Sequence, residues 1–231
     1  MYQTLLTAHS GCDGTEDNTL ESIAYALGLD VDCVEADVRR GVDGALVLSH
    51  DAATHESAHL EDALAMLRAQ PSKKINCDLK EPGLELSVWA LAKKMGVGEQ
   101  LVFSGTVSHH AARVEPYLFS HVDWYLNLEL VIPDLSPFGD RRVLAAPGLV
   151  DQLRLALLTT GACCINAHYS IANTIAYEPI LREGIPLSVW TPGDDCRIRR
   201  FCADGVYNIT TRNAKRASQV LREISAAEGV V

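Results

Sequence analysis

Short apolar runs alternate with longer amphipathic segments along almost the whole chain. Apolar runs of strand length that end in polar or turn residues predict β-strands. Eight such strands are predicted, at residues 5–9, 33–38, 74–80, 101–104, 124–128, 163–166, 186–190 and 206–210. A further short strand at residues 45–48 follows the turn expected at Asp43 and Gly44.

The segments between the strands carry apolar residues at helical spacing, as at Leu60, Leu64 and Leu67. Eight helices are predicted, at residues 19–27, 60–69, 84–95, 109–118, 148–160, 172–183, 194–202 and 212–226. Asn18 can cap the first of these helices, because its side-chain oxygen can accept a hydrogen bond from a free backbone N–H.

Regular alternation of strands and helices implies parallel strands joined by crossover helices. For 231 residues this pattern predicts a single (β/α)8 TIM barrel, with a doubly wound open α/β sheet as the alternative. No linker or change of composition divides the chain, so residues 1–231 are predicted to form one domain. The proline-containing segment 131–147 is predicted to be a long loop, at the rim of any pocket.

The net charge of −10 argues against a broad binding surface for nucleic acid or anionic lipid. No apolar run is long enough to span a membrane, and the first residues lack the pattern of a signal peptide, so the expected location is cytoplasmic. The seven cysteines include no C-x-x-C pair, which favours reduced thiols over a disulfide framework or a zinc site.

Carboxylates stand at the ends of two predicted strands that are neighbours in the barrel. Glu35 and Asp37 are two residues apart, as are Asp78 and Lys80, so each pair points to one face of its strand. The carboxyl ends of barrel strands are where active sites are built. Three carboxylates there suit a hard divalent cation such as Mg²⁺ or Ca²⁺. The alternative is that they serve only as ion-pair partners of Lys80.

Two histidines lie near the same end of the barrel. His9 ends the first predicted strand, and His50 follows the apolar run that ends at Leu48. Histidines in such places are often structural, but two of them beside a possible cation site suit acid–base catalysis near neutral pH. Farther along, Asn127 with Glu129 and Asn166 with His168 either line the pocket or make structural hydrogen bonds.

Several motifs together resemble the glycerophosphodiester phosphodiesterase family, whose pattern reads H-R, E-N, E-x-D and H-D. The matching segments are H-S-G at 9–11, D-N-T-L at 17–20, E-A-D at 35–37, D-G at 43–44, H-D at 50–51, N-C-D-L-K at 76–80 and S-V-W-T at 188–191. The resemblance continues in the segment that begins at Gly205, so it covers nearly the whole chain in order. It implies the same α/β barrel.

The resemblance also implies roles for individual residues. His9 and His50 would be the catalytic acid–base pair, with His9 assigned as base and His50 as acid, although residue type does not distinguish them. The implied ligands of the divalent cation, Mg²⁺ or Ca²⁺, are Glu35, Asp37 and Asp78. Lys80 and Asn18 would contact phosphate, while Trp190 would line the substrate pocket. Helix capping explains Asn18 equally well, and packing at the barrel rim would explain Trp190.

The implied reaction is metal-assisted cleavage of a small-molecule glycerophosphodiester to glycerol 3-phosphate and an alcohol. Two departures from the family stand out. Ser10 replaces the family's arginine, for which Arg39 or Arg40 is a candidate substitute. Only residues 52–59 separate Asp51 from the next helix, so the helical insertion that walls the glycerol end in bacterial members is missing.

These departures leave two alternative functions open. One is a phospholipase resembling sphingomyelinase D, which shares the barrel and releases a cyclic phosphate. The other is a barrel that binds a phosphate ligand with weak catalysis. The sequence predicts no oligomeric state.

Overall fold

A computed structural model describes residues 4–132 and 148–228. Most of the predicted loop at 131–147 lies outside these residues. Within them, nine strands form one sheet: β1 Leu5–Ala8, β2 Cys33–Arg40, β3 Leu46–Leu48, β4 Lys74–Leu79, β5 Leu101–Gly105, β6 Asp123–Asn127, β7 Cys164–His168, β8 Leu187–Trp190 and β9 Asn208–Thr211.

The sheet closes on itself between β1 and its two neighbours. β1 pairs in parallel with β9 through Leu5 and Asn208, and in parallel with β2 through Thr7 and Cys33. All other pairs of neighbouring strands around the ring are also parallel. β3 lies outside the ring, where it is antiparallel to β2 and forms one bridge from Val47 to His59. Eight parallel strands therefore close into a barrel. This confirms the predicted TIM barrel and excludes the open sheet.

Ten α-helices connect the strands: α1 Leu20–Leu27, α2 Leu60–Leu67, α3 Glu85–Met95, α4 His109–Val114, α5 Pro116–Phe119, α6 Leu128–Val131, α7 Leu149–Thr160, α8 Tyr177–Arg182, α9 Asp195–Ala203 and α10 Ala214–Glu228. Short 3-10 segments cover Cys12–Gly14, Gly98–Gln100 and Tyr169–Asn173. In the described ranges, this architecture places helices around the outside of the barrel.

Two predicted helices are interrupted. The helix expected at 109–118 breaks at Glu115, whose φ of −117° and ψ of 55° are not helical. Pro116 explains the break, because proline disfavours the helical conformation of the residue before it. The helix expected at 172–183 is a 3-10 segment followed by a shorter helix that begins at Tyr177.

The cap of α1 is Thr19, not Asn18 as predicted. The Thr19 hydroxyl accepts a hydrogen bond from the backbone N–H of Ser22 at 3.1 Å. Asn18 has a positive φ of 58°, a conformation that asparagine tolerates better than most residues. Its side chain is therefore free to turn away from the helix and toward β2.

Residues alternate between the two faces of each barrel strand. On β4, Ile75, Cys77 and Leu79 are fully buried against the surrounding helices, whereas Asn76 and Asp78 face the interior. Deep inside the barrel lies a separate apolar cluster of Cys33, Val102, Tyr125 and Cys164. Polar residues follow it two positions later on the same strands: Glu35, Ser104, Asn127 and Asn166. The barrel thus has an apolar floor beneath a polar mouth.

No helix within residues 4–132 and 148–228 has both the length and the apolar character that crossing a membrane requires.

Candidate active site

A cavity of about 500 Å³ opens at the mouth of the barrel, where the carboxyl ends of the strands meet. Seven of the eight residues expected at the site line it: His9, Glu35, Asp37, His50, Asp78, Lys80 and Trp190. Asn18 is the exception and lies behind Asp37. The strands thus bring together residues that are up to 181 positions apart in the sequence.

The three carboxylates converge on one side of the cavity. One oxygen from each of Glu35, Asp37 and Asp78 lies within 4.8 Å of the others. The register of the strands explains this, because Asp37 is directly opposite Asp78 in the β2–β4 pair. Glu35 and Asp37 are only 5% and 4% exposed. The geometry that the E-x-D spacing predicted is therefore present.

Lys80 lies against two of these carboxylates. Its Nζ is 2.8 Å from Asp37 Oδ1 and 2.6 Å from Asp78 Oδ2. Burial disfavours the ammonium ion, but Asp78 and Asp37 outweigh burial and raise the pKa of Lys80 above its ordinary value. One ammonium group thus faces three carboxyl groups, so the cluster retains an excess of acidic groups.

Glu35, unlike Asp37 and Asp78, forms no salt bridge with Lys80. Its Oε2 accepts a hydrogen bond from the backbone N–H of Ser10 at 2.9 Å. Burial, and then repulsion from Asp37 and Asp78, raises the pKa of Glu35 well above its ordinary value. A divalent cation would offset both effects, and three carboxylate oxygens are the donors that Mg²⁺ and Ca²⁺ prefer. The donor set therefore fits such an ion.

His9 is oriented by the backbone next to it. Its Nδ1 is 2.6 Å from the carbonyl oxygen of Ser10. Because a carbonyl can only accept, Nδ1 carries the proton and the lone pair of the neutral ring is on Nε2. The ring is 23% exposed, and burial lowers the pKa of His9 below its ordinary value. A neutral imidazole with a free Nε2 is suited to accept a proton.

His50 reaches the cavity by a different route. β2 runs past the rim to Arg40, and the chain then turns back as β3, pairing Val38 with Leu48. The backbone N–H of Ser49 donates to the carbonyl of Asp37 at 3.0 Å, which brings His50 level with the carboxylates. Its side chain is 68% exposed, and Nδ1 is 3.1 Å from Asp51 Oδ1.

Ser10 and Asn18 support the carboxylates from behind. Asn18 Nδ2 donates to Asp37 Oδ2 at 2.7 Å, and Asn18 Oδ1 accepts from the backbone N–H of Asp37 at 3.0 Å. The buried Ser10 hydroxyl accepts from the backbone N–H of Asn18. Asn18 is thus in direct contact with a predicted cation ligand, and the sequence did not indicate this contact.

Neither candidate substitute for the missing arginine lies in the cavity. Arg39 donates to the carbonyl of His50 and to Glu81, and Arg40 donates to the carbonyl of Gly44. Both side chains are therefore engaged on the β2–β3 hairpin.

A third arginine, which the sequence analysis overlooked, lies beside His9. Arg212 donates two hydrogen bonds to Asp17, at 2.7 and 2.9 Å. This pair packs over Gly11, where a Cβ atom would lie 1.8 Å from Asp17 Oδ1. The pair joins the loop after β1 to the loop after β9, and no local pattern predicts a contact across 195 residues.

The side of the cavity opposite the carboxylates is built by β6, β7 and β8. Asn127, Glu129, Asn166 and Trp190 line it. Asn166 Nδ2 donates to Asn127 Oδ1 at 2.8 Å. His168 is not among the lining residues: it bonds to Ser170 and packs its ring 4.9 Å from that of Trp190. Of the four residues that the sequence left open, Asn127, Glu129 and Asn166 line the cavity. His168 instead packs against Trp190.

Solved structures with the same fold come from several bacteria. A glycerophosphodiester phosphodiesterase from Parabacteroides distasonis has a TM-score of 0.73 at 17% identity and covers 96% of this chain and 98% of its own. One from Agrobacterium tumefaciens has a TM-score of 0.67 at 17% identity, covering 94% and 99%. An Oleispira antarctica phosphodiesterase, in complex with the product sn-glycerol-3-phosphate, has a TM-score of 0.68 at 16% identity, covering 95% and 97%.

Identities this low establish the fold alone, and no curated protein matches the chain. The model of the glycerophosphoryl diester phosphodiesterase family, however, matches residues 7–105. This segment contains both histidines, the three converging carboxylates and Lys80. The match confirms the resemblance indicated by the motifs: residues 7–105 are similar to the glycerophosphoryl diester phosphodiesterase family.

Proposed function

We propose that the protein is a metal-dependent phosphodiester hydrolase that cleaves glycerophosphodiesters to glycerol 3-phosphate and an alcohol. The observation that carries this proposal is the convergence of Glu35, Asp37 and Asp78 in a cavity that His9 and His50 also line. A site that only bound phosphate would need no such pair of histidines. Two comparisons support the choice of substrate: the family model that matches residues 7–105, and the sn-glycerol-3-phosphate bound in the Oleispira antarctica structure.

The cofactor of this reaction would be Mg²⁺ or Ca²⁺, held by Glu35, Asp37 and Asp78. When bound, the cation would supply positive charge to the phosphoryl oxygens as negative charge develops there. Asn18 and the backbone N–H of Ser10 would keep two of these carboxylates in place.

His9 is assigned as the general base. Its proton on Nδ1 is held by the Ser10 carbonyl, so Nε2 can take a proton from the attacking hydroxyl, which belongs to water or to the substrate. His50 is assigned as the general acid that protonates the leaving alcohol. It lies at the exposed edge of the cavity, where an alcohol can leave into solvent.

Lys80 and Trp190 complete the proposed site. Lys80 is the ammonium group beside the carboxylates and would attract a phosphate oxygen. Trp190 presents an aromatic surface to the same cavity and would pack against the carbon chain of the substrate. Asn18 would act on phosphate through the orientation of Asp37.

The proposal is tested by product analysis. Purified protein is incubated with glycerophosphocholine or glycerophosphoethanolamine and Mg²⁺ or Ca²⁺, and phosphorus NMR follows the products. Glycerol 3-phosphate is expected, and the Asp78→Asn variant should release none. Asp62→Asn, a change at an exposed position on α2, is the matched control and should be as active as the wild type.

The other outcomes each have a distinct meaning. A cyclic phosphate as the final product would identify the reaction typical of the sphingomyelinase-D-like enzymes. No turnover of any phosphodiester, with the metal bound, would contradict the proposed activity and leave a phosphate-binding barrel.

A further inference from the structure

Four buried oxygen atoms on residues that line the cavity have no hydrogen-bond partner among the residues that the structure describes. They are Asn76 Oδ1, Thr106 Oγ1, Glu129 Oε2 and Asn166 Oδ1. Asn76 and Asn166 are only 3% and 8% exposed. Buried polar atoms normally have a partner, because an acceptor removed from water and left alone is destabilising. Four of them at one cavity indicate that a ligand completes them.

The orientation of Asn166 is set by its neighbour. Its Nδ2 is committed to Asn127 Oδ1 at 2.8 Å, which leaves Oδ1 as its available atom. Glu129 is the second residue of the short helix α6, which directly follows β6. Burial raises the pKa of the Glu129 carboxyl above its ordinary value, since no cation lies near it among the described residues. Glu129 Oε2 and Asn166 Oδ1 are therefore both available to a ligand, and neither residue belongs to the cluster of three carboxylates.

The Thr106 hydroxyl, on the loop after β5, can donate as well as accept. On the β6 and β7 side of the cavity, however, both unpartnered atoms, Glu129 Oε2 and Asn166 Oδ1, are acceptors, and this restricts the ligand there. A phosphate oxygen or another carboxylate is also an acceptor and would be repelled. A trimethylated ammonium group has no N–H or O–H to donate. Hydroxyl groups donate and, being neutral, enter a half-buried cavity at a smaller desolvation cost than a charged group.

The location within the barrel is also informative. Glu129 lies just after β6 and Asn166 is on β7, whereas Asp37 is on β2 and Asp78 is on β4. These pairs of strands lie on opposite sides of the ring. Trp190, on β8, is opposite His168 in the β7–β8 pair and presents an aromatic surface to the cavity that Asn166 also lines. A ligand with its phosphate at Lys80 would direct its carbon chain toward Glu129.

We infer that Glu129 and Asn166 form a hydroxyl-binding subsite that recognises the polyol part of a phosphorylated ligand. This inference rests on the proposed function, because it assigns the phosphate to the Lys80 side of the cavity. It gives the chain its own means of recognising a polyol in the absence of the helical insertion. Glu129 and Asn166 are specificity-determining residues in this scheme.

The test compares two ligands that differ only in hydroxyl groups: glycerol 3-phosphate and propyl phosphate. Calorimetry in the presence of Mg²⁺ measures the affinity of each for the wild type, Glu129→Leu and Asn166→Leu. The wild type should bind glycerol 3-phosphate about three- to tenfold more tightly than propyl phosphate, as expected for one well-made hydrogen bond. Both variants should lose this preference while their affinity for propyl phosphate is unchanged. Glu178→Leu, at an exposed glutamate of α8, should retain the preference.

Equal affinities in the wild type, or a preference that survives in Glu129→Leu, would overturn the inference. Glu129 is only half-buried, so its variant decides the question even if Asn166→Leu does not fold. Preference for phosphoethanolamine over phosphocholine, without any for glycerol 3-phosphate, would also contradict a polyol subsite. Because binding is measured without turnover, an inactive protein that keeps the preference contradicts only the proposed function. An active protein without the preference contradicts only the subsite.

Discussion

Asn18 holds Asp37 with both ends of its side-chain amide: Nδ2 donates to Oδ2 at 2.7 Å, and Oδ1 accepts from the backbone N–H at 3.0 Å. The residue thus fixes the position of a proposed metal ligand. Residues that orient a ligand in this way typically contribute a factor of about 10 to 100 in metal affinity.

We therefore expect Asn18→Leu to weaken the binding of Mg²⁺ or Ca²⁺ by about 10- to 100-fold, measured by calorimetry. The reason is that Asp37 loses both hydrogen bonds and is no longer held toward Glu35. Asn173→Leu removes an exposed asparagine and serves as the control. Unchanged metal affinity in Asn18→Leu would show that Asp37 needs no such support.

Substitution of either His9 or His50 should impair catalysis without weakening metal binding. His9→Ala and His50→Ala are each expected to lower kcat by a factor of about 10² to 10⁴, because each removes one of the two proposed proton-transfer groups. Metal affinity should stay close to that of the wild type in both variants. The exposed His110 offers a control substitution to alanine, with full activity expected. A histidine variant that lost the metal along with activity would have to be reassigned as a ligand.

Metal binding should also stabilise the fold. The pKa of Glu35 is raised by burial and by Asp37 and Asp78, so a cation that neutralises this repulsion binds the folded state selectively. A ligand at 100 times its Kd adds about 2.7 kcal/mol to the free energy of unfolding. Tm should therefore rise on addition of Mg²⁺ or Ca²⁺ and return to its starting value with EDTA. In Asp78→Asn this shift should be strongly reduced, and an equal shift there would argue for a different metal site.

The pair of Asp17 and Arg212 predicts a pH dependence of stability. Hydrogen bonds from Arg212 lower the pKa of Asp17 below its ordinary value, so the folded state favours the ionised carboxylate. The pair therefore stabilises the protein above the unfolded-state pKa of about 3.9, and this contribution disappears as the pH falls through the lower folded-state pKa. Both side chains are about half exposed, so the effect is expected to be under about 1 kcal/mol.

Urea unfolding of wild type and Asp17→Asn at several pH values measures this effect. The wild type should be more stable at pH 7, and the difference should shrink on acidification. Glu16→Gln, at the neighbouring exposed position, should show no such difference. A difference that was constant with pH would mean that the contact stabilises by packing and not by charge.

The alternation of apolar runs predicted every strand of the barrel, because each βα unit has its own local pattern. The convergence of Glu35, Asp37 and Asp78 was also predictable, since neighbouring parallel strands end at the same side of the sheet. The break at Pro116 follows from a local rule that the helix prediction at 109–118 did not apply. These features depend on residues that are close together in the sequence or related by the regular order of strands.

Other features depend on contacts that no local pattern contains. The sequence suggested that Asn18 caps a helix, but the residue bonds to Asp37 across 19 positions. Asp17 and Arg212 meet only because the barrel closes between β1 and β9. The free acceptor of Asn166 depends on the orientation that Asn127 imposes. Such relationships follow from the closed ring and become visible only in three dimensions.

The hairpin formed by β2 and β3 places the two histidines on supports of different kinds. His9 follows a strand of the barrel wall, whereas His50 follows β3, which lies outside the ring, pairs with β2 and contacts His59 through Val47. The carbonyl of His50 also accepts a hydrogen bond from Arg39. The register that sets Asp37 opposite Asp78 belongs to the ring alone. A change in the length of residues 52–57 would therefore alter the rim beside His50, and with it the range of substrates admitted, without moving the proposed metal ligands.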